Sequence, residues 1–348
     1  MQVSTKKRKS EHLRICLSRD VSFREKGTGF DEVELIYDTL PELEKSEIVL
    51  ECKFLSKRFK APLMVSAMSG GTERAEELNR DVATACQSLG IGMGLGSQRV
   101  MMENSKSREG FMIRKHAPDI FIAGNLGVSQ LKEYSTSEIE EMLSSVGVDA
   151  LAIHSNAAQE AVQPEGTTDF RDCLREIERV SQELEKPCYL KEVGHGISLE
   201  VAKRLSLTKI RAIDVQGAGG TSWVAVETLR TSFWAGETFW DFGIPTVCSI
   251  LECRKAFKGK LIASGGVRNG LDVVKALVLG ADLASIALPV LIAQDTGGSL
   301  KVEDYLRRII EEIRIGMFLI GAREISELKN KNYLLFGRTR EWVEQRLD

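Results

Sequence analysis

Two glycine-rich segments and one lysine carry the clearest chemical signals in this chain. SGGVRNG (264–270) runs straight into the apolar helical pattern LDVVKALVLGA. Glycines let backbone N–H groups close on an anion, and a helix N-terminus behind them adds a favourable dipole. GAGGTS (217–222) repeats that composition and adds the hydroxyls of Thr221 and Ser222. Lys191 lies inside the apolar run CYLKEVG, where an ammonium is costly to bury without an anion opposite it. In HSNAAQE (154–160), His154 and Asn156 share a strand face by the two-residue period, with Gln159 and Glu160 just beyond. One carboxylate among neutral polar groups is a poor zinc site. It suits Mg²⁺, which takes one or two carboxylates and completes its shell with phosphate oxygens and water. The opening KKRKSEHL holds Lys6, Lys7, Arg8, Lys9 and His12, and taken alone it reads as a solvated basic tail. Arg99, directly after GSQ, is better placed to reach a phosphate.

These residues need elements to aim them. From residue 61 onward, apolar runs alternate with helical stretches: 62–68, 91–97, 120–127, 150–156, 188–194, 212–217, 261–266 and 283–289. Continuous rather than alternating apolar runs suit a parallel sheet buried on both faces. Polar and glycine-rich residues follow nearly every run, as the C-terminal face of a (β/α)8 barrel requires, and Met68, Ser69, Ser97 and Asn125 fall at such strand ends. A TIM barrel is therefore expected over 61–300, with a doubly wound open sheet as the alternative. Residues 73–89 show helical spacing that should stop at Gly90, and Ser135 to Glu138 form a capping-box pattern. DEVELIY and EIVLECKFL, within an N-terminal extension of 1–60, are expected to pair as a hairpin covering one barrel end. Residues 218–260 exceed one βα unit and carry Trp223, Trp234 and Trp240, a candidate loop or lid. A helical tail is expected over 301–348, and the absence of a low-complexity linker implies a single domain, 1–348.

Composition closes off other classes. Lys+Arg total 47 against Asp+Glu 50, a net charge of -3 that gives no reason to expect nucleic acid. No run approaches the roughly 20 apolar residues of a membrane span, and no apolar signal region opens the chain, so a soluble cytoplasmic protein is expected. Seven dispersed cysteines without a CxxC pair read as reduced thiols.

Taken together, the segments RKSEHL, SAMSGG, GLGSQR, GNLG, HSNAAQE with QPEG, KEVGHGIS, DVQGAGGTSW, FGIPT, SGGVRNG and GRTREW resemble the type 2 isopentenyl-diphosphate isomerases, FMN enzymes of the (β/α)8 class. They run in order from residue 8 to residue 342. The resemblance implies that Arg8, Lys9, His12 and Arg99 hold a diphosphate, with Ser97 beside them, which replaces the tail reading of the basic start. It implies FMN held by Ala67, Met68, Ser69, Ser97, Asn125 and Lys191, together with Thr221, Gly265, Gly266, Arg268, Ala287 and Leu288. Glu160 is implied as the Mg²⁺ ligand, with Asn156 contacting substrate and Gln159, His154 and Lys191 in catalytic roles. Ser155 and Ala157 stand where the family commonly has leucine and proline, and Phe242 where tryptophan is usual.

The reaction so implied moves the double bond of isopentenyl diphosphate to give dimethylallyl diphosphate, with reduced FMN as the active form, NADPH as reductant and a homo-oligomer, octamer or tetramer, as the assembly. Facing a flavin, Lys191 would stabilise negative density at its N1/O2 pole. Two other barrel enzymes are weighed against this. An IMP-dehydrogenase-like enzyme needs a cysteine in the loop GAGGTSW, which has none. A 2-hydroxyacid oxidase-like oxidoreductase needs a histidine base late in the barrel, and the histidines are His12, His116, His154 and His195. A non-catalytic flavin-binding protein is the alternative outside enzymes.

Overall fold

In the computed structural model, which describes residues 5–347, eight parallel strands close into a barrel. They are β1 (Leu63–Val65), β2 (Gly92–Gly94), β3 (Ile122–Gly127), β4 (Ala150–His154), β5 (Cys188–Lys191), β6 (Ala212–Asp214), β7 (Lys260–Ala263) and β8 (Leu283–Ile286). Seven fall within the apolar runs of the sequence, β7 starts one residue before its run, and β8 returns to pair with β1, which excludes the open sheet. The runs are continuous because both faces of each strand are covered, one by helices and one by the barrel's own filling. The helix Glu73–Leu89 does stop at Gly90, in the left-handed conformation, and Ser135 and Glu138 form the expected capping box.

The barrel's filling changes character along its axis, and this change places the site. Toward the N-terminal ends of the strands, Ala123, Ala150, Ala152 and Ala212 leave room for the fully buried ring of Tyr189. Phe54, Phe59 and Phe121 close this end in edge-on and tilted contacts, with ring centroids 5.5 Å apart for Phe54–Phe121 and 6.1 Å for Phe54–Phe59. Aromatic burial on this scale contributes about 1.5–3 kcal/mol per side chain. At the C-terminal ends the strands finish instead in polar groups, among them Asn125, His154, Lys191 and Asp214.

The two N-terminal runs do not pair with each other, contrary to the expected hairpin. Val33–Leu35 pairs antiparallel with Tyr333–Leu335, near the chain's other end. Glu32 reinforces that pairing by accepting from the backbone N–H of Arg338 (3.0 Å) and Thr339 (2.7 Å). The second run turns back on itself at Leu55, whose φ of 49° reverses the chain, and pairs Cys52–Phe54 with Lys57–Phe59. That hairpin delivers the Phe54 and Phe59 plug.

The helix Leu288–Leu319 is broken at Gly297–Gly298, and its second limb packs between Glu73–Leu89 and Gly270–Val278. It is the eighth helix of the ring, so a boundary at 300 falls inside it. The segment 218–260 is folded rather than looped, into helices Trp223–Thr231, Ala235–Phe239 and Thr246–Ala256. Trp240 pins it, donating to Ser22 O (2.9 Å) beneath the Arg24 guanidinium, 3.7 Å from the ring centroid. GRTREW begins a terminal helix whose Trp342 and Arg346 donate to the fully buried Glu252. No helix among the described residues is long and apolar enough to cross a membrane.

Candidate active site

A cavity opens at the C-terminal ends of the strands, and every residue given a cofactor, substrate, metal or catalytic role by the family resemblance lines it except Asn156; Ser222, also noted for its hydroxyl, does not. One side is closed by the N-terminal helix Thr5–Ser18, which turns Arg8, Lys9, His12, Leu13 and Cys16 inward. These positions recur at the spacing that puts residues on one helical face. Lys9 locks the helix to the barrel: its Nζ donates to Gly70 O (2.9 Å) and Ser97 O (3.1 Å), beyond β1 and β2.

Lys9, Lys191 and Arg268 share a property that the fold does not itself require. Among the described residues none of the three side chains makes a direct ion pair with a carboxylate; their side-chain hydrogen bonds go to backbone carbonyls of Gly70, Ser97, Glu192 and Val267. Burial and the neighbouring Arg8 lower the Lys9 pKa to about 8. Lys191 is buried within the barrel and its pKa is likewise lowered by desolvation. Arg99 and Arg8 lie beside them, the first on Glu103 (2.7 Å), the second 3.9 Å from Glu165. Unpaired cations converging on one cavity call for anionic ligands.

Between the cations the wall is neutral. His154 Nδ1 lies 2.7 Å from Asn125 Oδ1, whose backbone N–H is in turn held by Gln98 Oε1 (2.9 Å). Burial, then Lys191 and Lys9, push the His154 pKa down to about 3, so its ring is uncharged near neutral pH and donates from Nδ1. Gly265 (φ 93°) and Gly266 (φ 74°) form consecutive left-handed positions at the cavity's edge. A Cβ at Gly265 would lie 2.1 Å from Gly217 O, so the two glycine segments need glycine in order to pack against each other. The helix Gly270–Val278, expected to turn its dipole on the anion, has its first donors occupied: Gly270 N by Glu312 (2.6 Å) and Asp272 N by Asn269 (2.8 Å). The helix end that reaches the cavity is the one starting at Leu288, after β8.

Asn156 stands behind the wall as the residue preceding helix Ala157–Val162, donating to Gln159 Oε1 (3.2 Å) and Glu160 Oε1 (2.9 Å). It orients the residues that do face the cavity. Ala157 takes the first helical position, where proline is merely favoured, so the departure from the family pattern leaves the turn intact. Glu160 Oε2 accepts from Thr167 N (2.6 Å), and no group of three potential metal ligands occurs among the described residues. The protein can thus offer Mg²⁺ one carboxylate, which fits a cation completed by phosphate oxygens and water.

Sequence reasoning missed two carboxylates. Glu227, on helix Trp223–Thr231, is fully buried and receives Gln159 Nε2 (3.1 Å) and Arg230 Nε (2.7 Å), with His12 Nε2 at 2.8 Å. With its amide nitrogen toward Glu227, Gln163 donates to Oε1 (2.9 Å) and accepts from Arg8 (2.9 Å). One acid thereby orders Arg8, His12 and Gln159. Asp214, at the end of β6, is equally buried. The test that singled out Lys191, a charge inside an apolar strand, applies to it unchanged.

Residues 153–334 match the family model of the FMN-dependent dehydrogenases. Among solved structures, flavocytochrome b2 with sulfite bound superposes with a TM-score of 0.71 at 20% identity, covering 92% of this chain and 81% of that one. Mandelate oxidase with benzaldehyde gives 0.66 at 18% identity, covering 94% of each. Barrel, cavity and family match together define an FMN-dependent (β/α)8 protein. Much nearer in sequence are the isopentenyl-diphosphate delta-isomerases of Methanosarcina mazei, 42% identical over 99% of this chain and 95% of that protein, and of Halobacterium salinarum, 44% identical over 98% and 97%. The enzyme of Pyrococcus abyssi is 42% identical over 100% and 97%. The chain belongs to the isopentenyl-diphosphate delta-isomerase family.

Proposed function

We propose that this chain interconverts isopentenyl and dimethylallyl diphosphate, using FMN in its reduced form, Mg²⁺ and NADPH as the reductant that primes the flavin. One observation supports the reading above others: three cations without carboxylate partners face one cavity from three directions, Arg268 beyond β7, Lys191 on β5 and Lys9 on the N-terminal helix. Two anionic ligands account for them. Gly265, Gly266, Ala287, Leu288 and Arg268 would hold the FMN phosphate, and Lys191 would stabilise negative charge on the reduced flavin. Arg8, Lys9, His12 and Arg99 would hold the diphosphate, and Glu160 would hold Mg²⁺ to neutralise part of its charge.

The isomerisation adds a proton at the terminal methylene and removes one from C2, through a species with tertiary-cation character that water would trap. Reduced FMN supplies a negative, proton-exchanging surface beside that species. The chain's own residues bind, orient and exclude water. Glu227 holds His12 and Gln159 in register with the diphosphate clamp, and Gln159 presents a neutral amide to the substrate. His154, uncharged, serves as a fixed hydrogen-bonding wall and not as an imidazolium acid. The oxidase alternative loses support because it needs a histidine late in the barrel. His116 and His195 do not line the cavity, and the two that do, His12 and His154, come from the N-terminal helix and β4. A cytoplasmic homo-oligomer, tetramer or octamer, remains part of the proposal through the family resemblance.

The test is direct. Protein, FMN, Mg²⁺, reductant and isopentenyl diphosphate are incubated without oxygen, and dimethylallyl diphosphate is sought. FMN binding without that product, or oxidation of a 2-hydroxyacid in its place, would overturn the proposal.

A further inference from the structure

Lys191 and Asp214 face each other across the pairing of β5 and β6, in register, each the last residue of its strand. Both are withdrawn from water, at 5% and 2% exposure. Neither makes a direct ion pair among the described residues. Lys191 Nζ donates to Glu192 O (2.6 Å), while Asp214 accepts from Ser264 Oγ on one oxygen and from Gln216 Nε2 (3.3 Å) on the other. A lone charge buried in this way is ordinarily lost, because the group shifts its pKa and neutralises. Two opposite charges on adjacent strands each counter part of that penalty: burial lowers the Lys191 pKa and raises that of Asp214, and each group opposes the other's shift. We infer that Asp214 is a positioning residue for the reaction, the buried counter-charge that keeps Lys191 cationic at the cofactor face, itself held by Ser264 and Gln216.

The other groups around Lys191 are less suited to this task. His154, its in-register neighbour on β4, is uncharged, and Lys9 on the N-terminal helix adds a like charge. Glu192 has its Oε2 committed to the backbone N–H groups of Val193 (2.6 Å), Gly194 (2.5 Å) and His195 (2.5 Å), where it shapes the loop. Of the acids, Asp214 raises the Lys191 pKa most, with Glu192 second. The neutral groups around Asp214 show a matching investment. Ser264 Oγ accepts from Gln216 N (3.0 Å) while donating to the carboxylate. Gln216 is held at φ 39°, a left-handed conformation uncommon for a side-chain-bearing residue. Its amide spans from Asp214 to Ser66 Oγ (3.0 Å), which meets Ser285 Oγ at the cavity wall. Strained backbone and buried hydroxyls are thus spent on fixing one carboxylate.

The catalytic consequence rests on the reading that FMN occupies this cavity, but the charge relation itself does not, so the two can fail separately. In the FMN-free protein, the ionisation of Lys191 is read from the ¹³Cε resonance of labelled lysine, assigned by its loss in Lys191→Met. Asp214→Asn should move its midpoint down by about one pH unit or more. Ser264→Ala should move it less in the same direction, and Asp214→Glu should restore it. With FMN bound, Asp214→Asn should gain an alkaline limb in its kcat profile at the displaced midpoint while keeping activity on the acid side. A Lys191 midpoint unchanged in Asp214→Asn overturns the inference, as does a loss of turnover uniform across pH. If Asp214→Asn fails to fold, the midpoint shift of Ser264→Ala decides, and its absence counts against the proposal. Failure of wild-type protein to bind FMN on titration contradicts the cofactor reading alone, and the resonance shift still decides the counter-charge.

Discussion

Lys9 exposes the site to pH more directly than any other residue. Its pKa, lowered to about 8 by burial and Arg8, means that the free protein loses this cation as pH rises through that value. The KM for isopentenyl diphosphate should therefore climb above about pH 8 while kcat holds, because bound diphosphate draws the proton back. Lys9→Gln should flatten that rise, and a flat wild-type KM would contradict the assignment. The stability consequence has the opposite sign. Between the lowered pKa and the ordinary 10.5, the unfolded chain binds more protons than the native one, so the penalty of burying Lys9 is full below pH 8 and is relieved as pH rises through that window. Two further residues are testable singly. Arg268 stands at an exposed rim and its guanidinium donates to Val267 O, so Arg268→Ala should weaken FMN by about 1.5 kcal/mol, the low end for a bond to a charged group. An affinity unchanged by titration would move the phosphate elsewhere. Glu160→Gln keeps the shape while removing the carboxylate, and should abolish Mg²⁺-dependent turnover with flavin still bound. Near-normal activity at all Mg²⁺ concentrations would place the metal elsewhere. At this scale the sequence showed Lys191 because it interrupts an apolar run, and His154 and Gln159 because they fall near and just beyond the end of one. It hid Glu227, whose meaning depends on His12 arriving from far along the chain, and it set Asn156 at the substrate, whereas the structure turns its amide toward its own helix.

Among elements, the barrel was legible and its accessories were not, for a physical reason. A strand covered on both faces writes its burial into consecutive residues, so each of the eight appears locally. An antiparallel pair such as Val33–Leu35 with Tyr333–Leu335 writes nothing local, since its partner is nearly the whole chain away. The break at Gly297–Gly298 likewise made one ring helix read as two segments. The 52–59 hairpin gives an element-scale prediction, because its aromatic plug sits at the barrel end opposite the site. Phe59, 1% exposed between Phe54 and Phe121, should cost about 3–5 kcal/mol as Phe59→Ala. Denaturant melts should show that loss with FMN affinity at low temperature little changed. A loss of flavin binding in a still-folded variant would mean that the plug and the site are coupled through the filling of the barrel.

For the whole molecule, a fold shared with an FMN-bearing mandelate oxidase serves an isomerisation, a reaction with no net redox change. Substrate and product are isomers, so no electrons need leave the site. The cavity fits that demand, with cations where the anionic groups of cofactor and substrate would bind, an uncharged His154 and a neutral amide at Gln159. The most direct measurement is NADPH oxidised against dimethylallyl diphosphate formed, under anaerobic conditions and in deuterated water. The account requires reductant about once per flavin, many product molecules afterwards, and deuterium in the product methyl group that derives from the terminal methylene. One NADPH consumed for each product molecule would contradict it and restore the oxidoreductase reading.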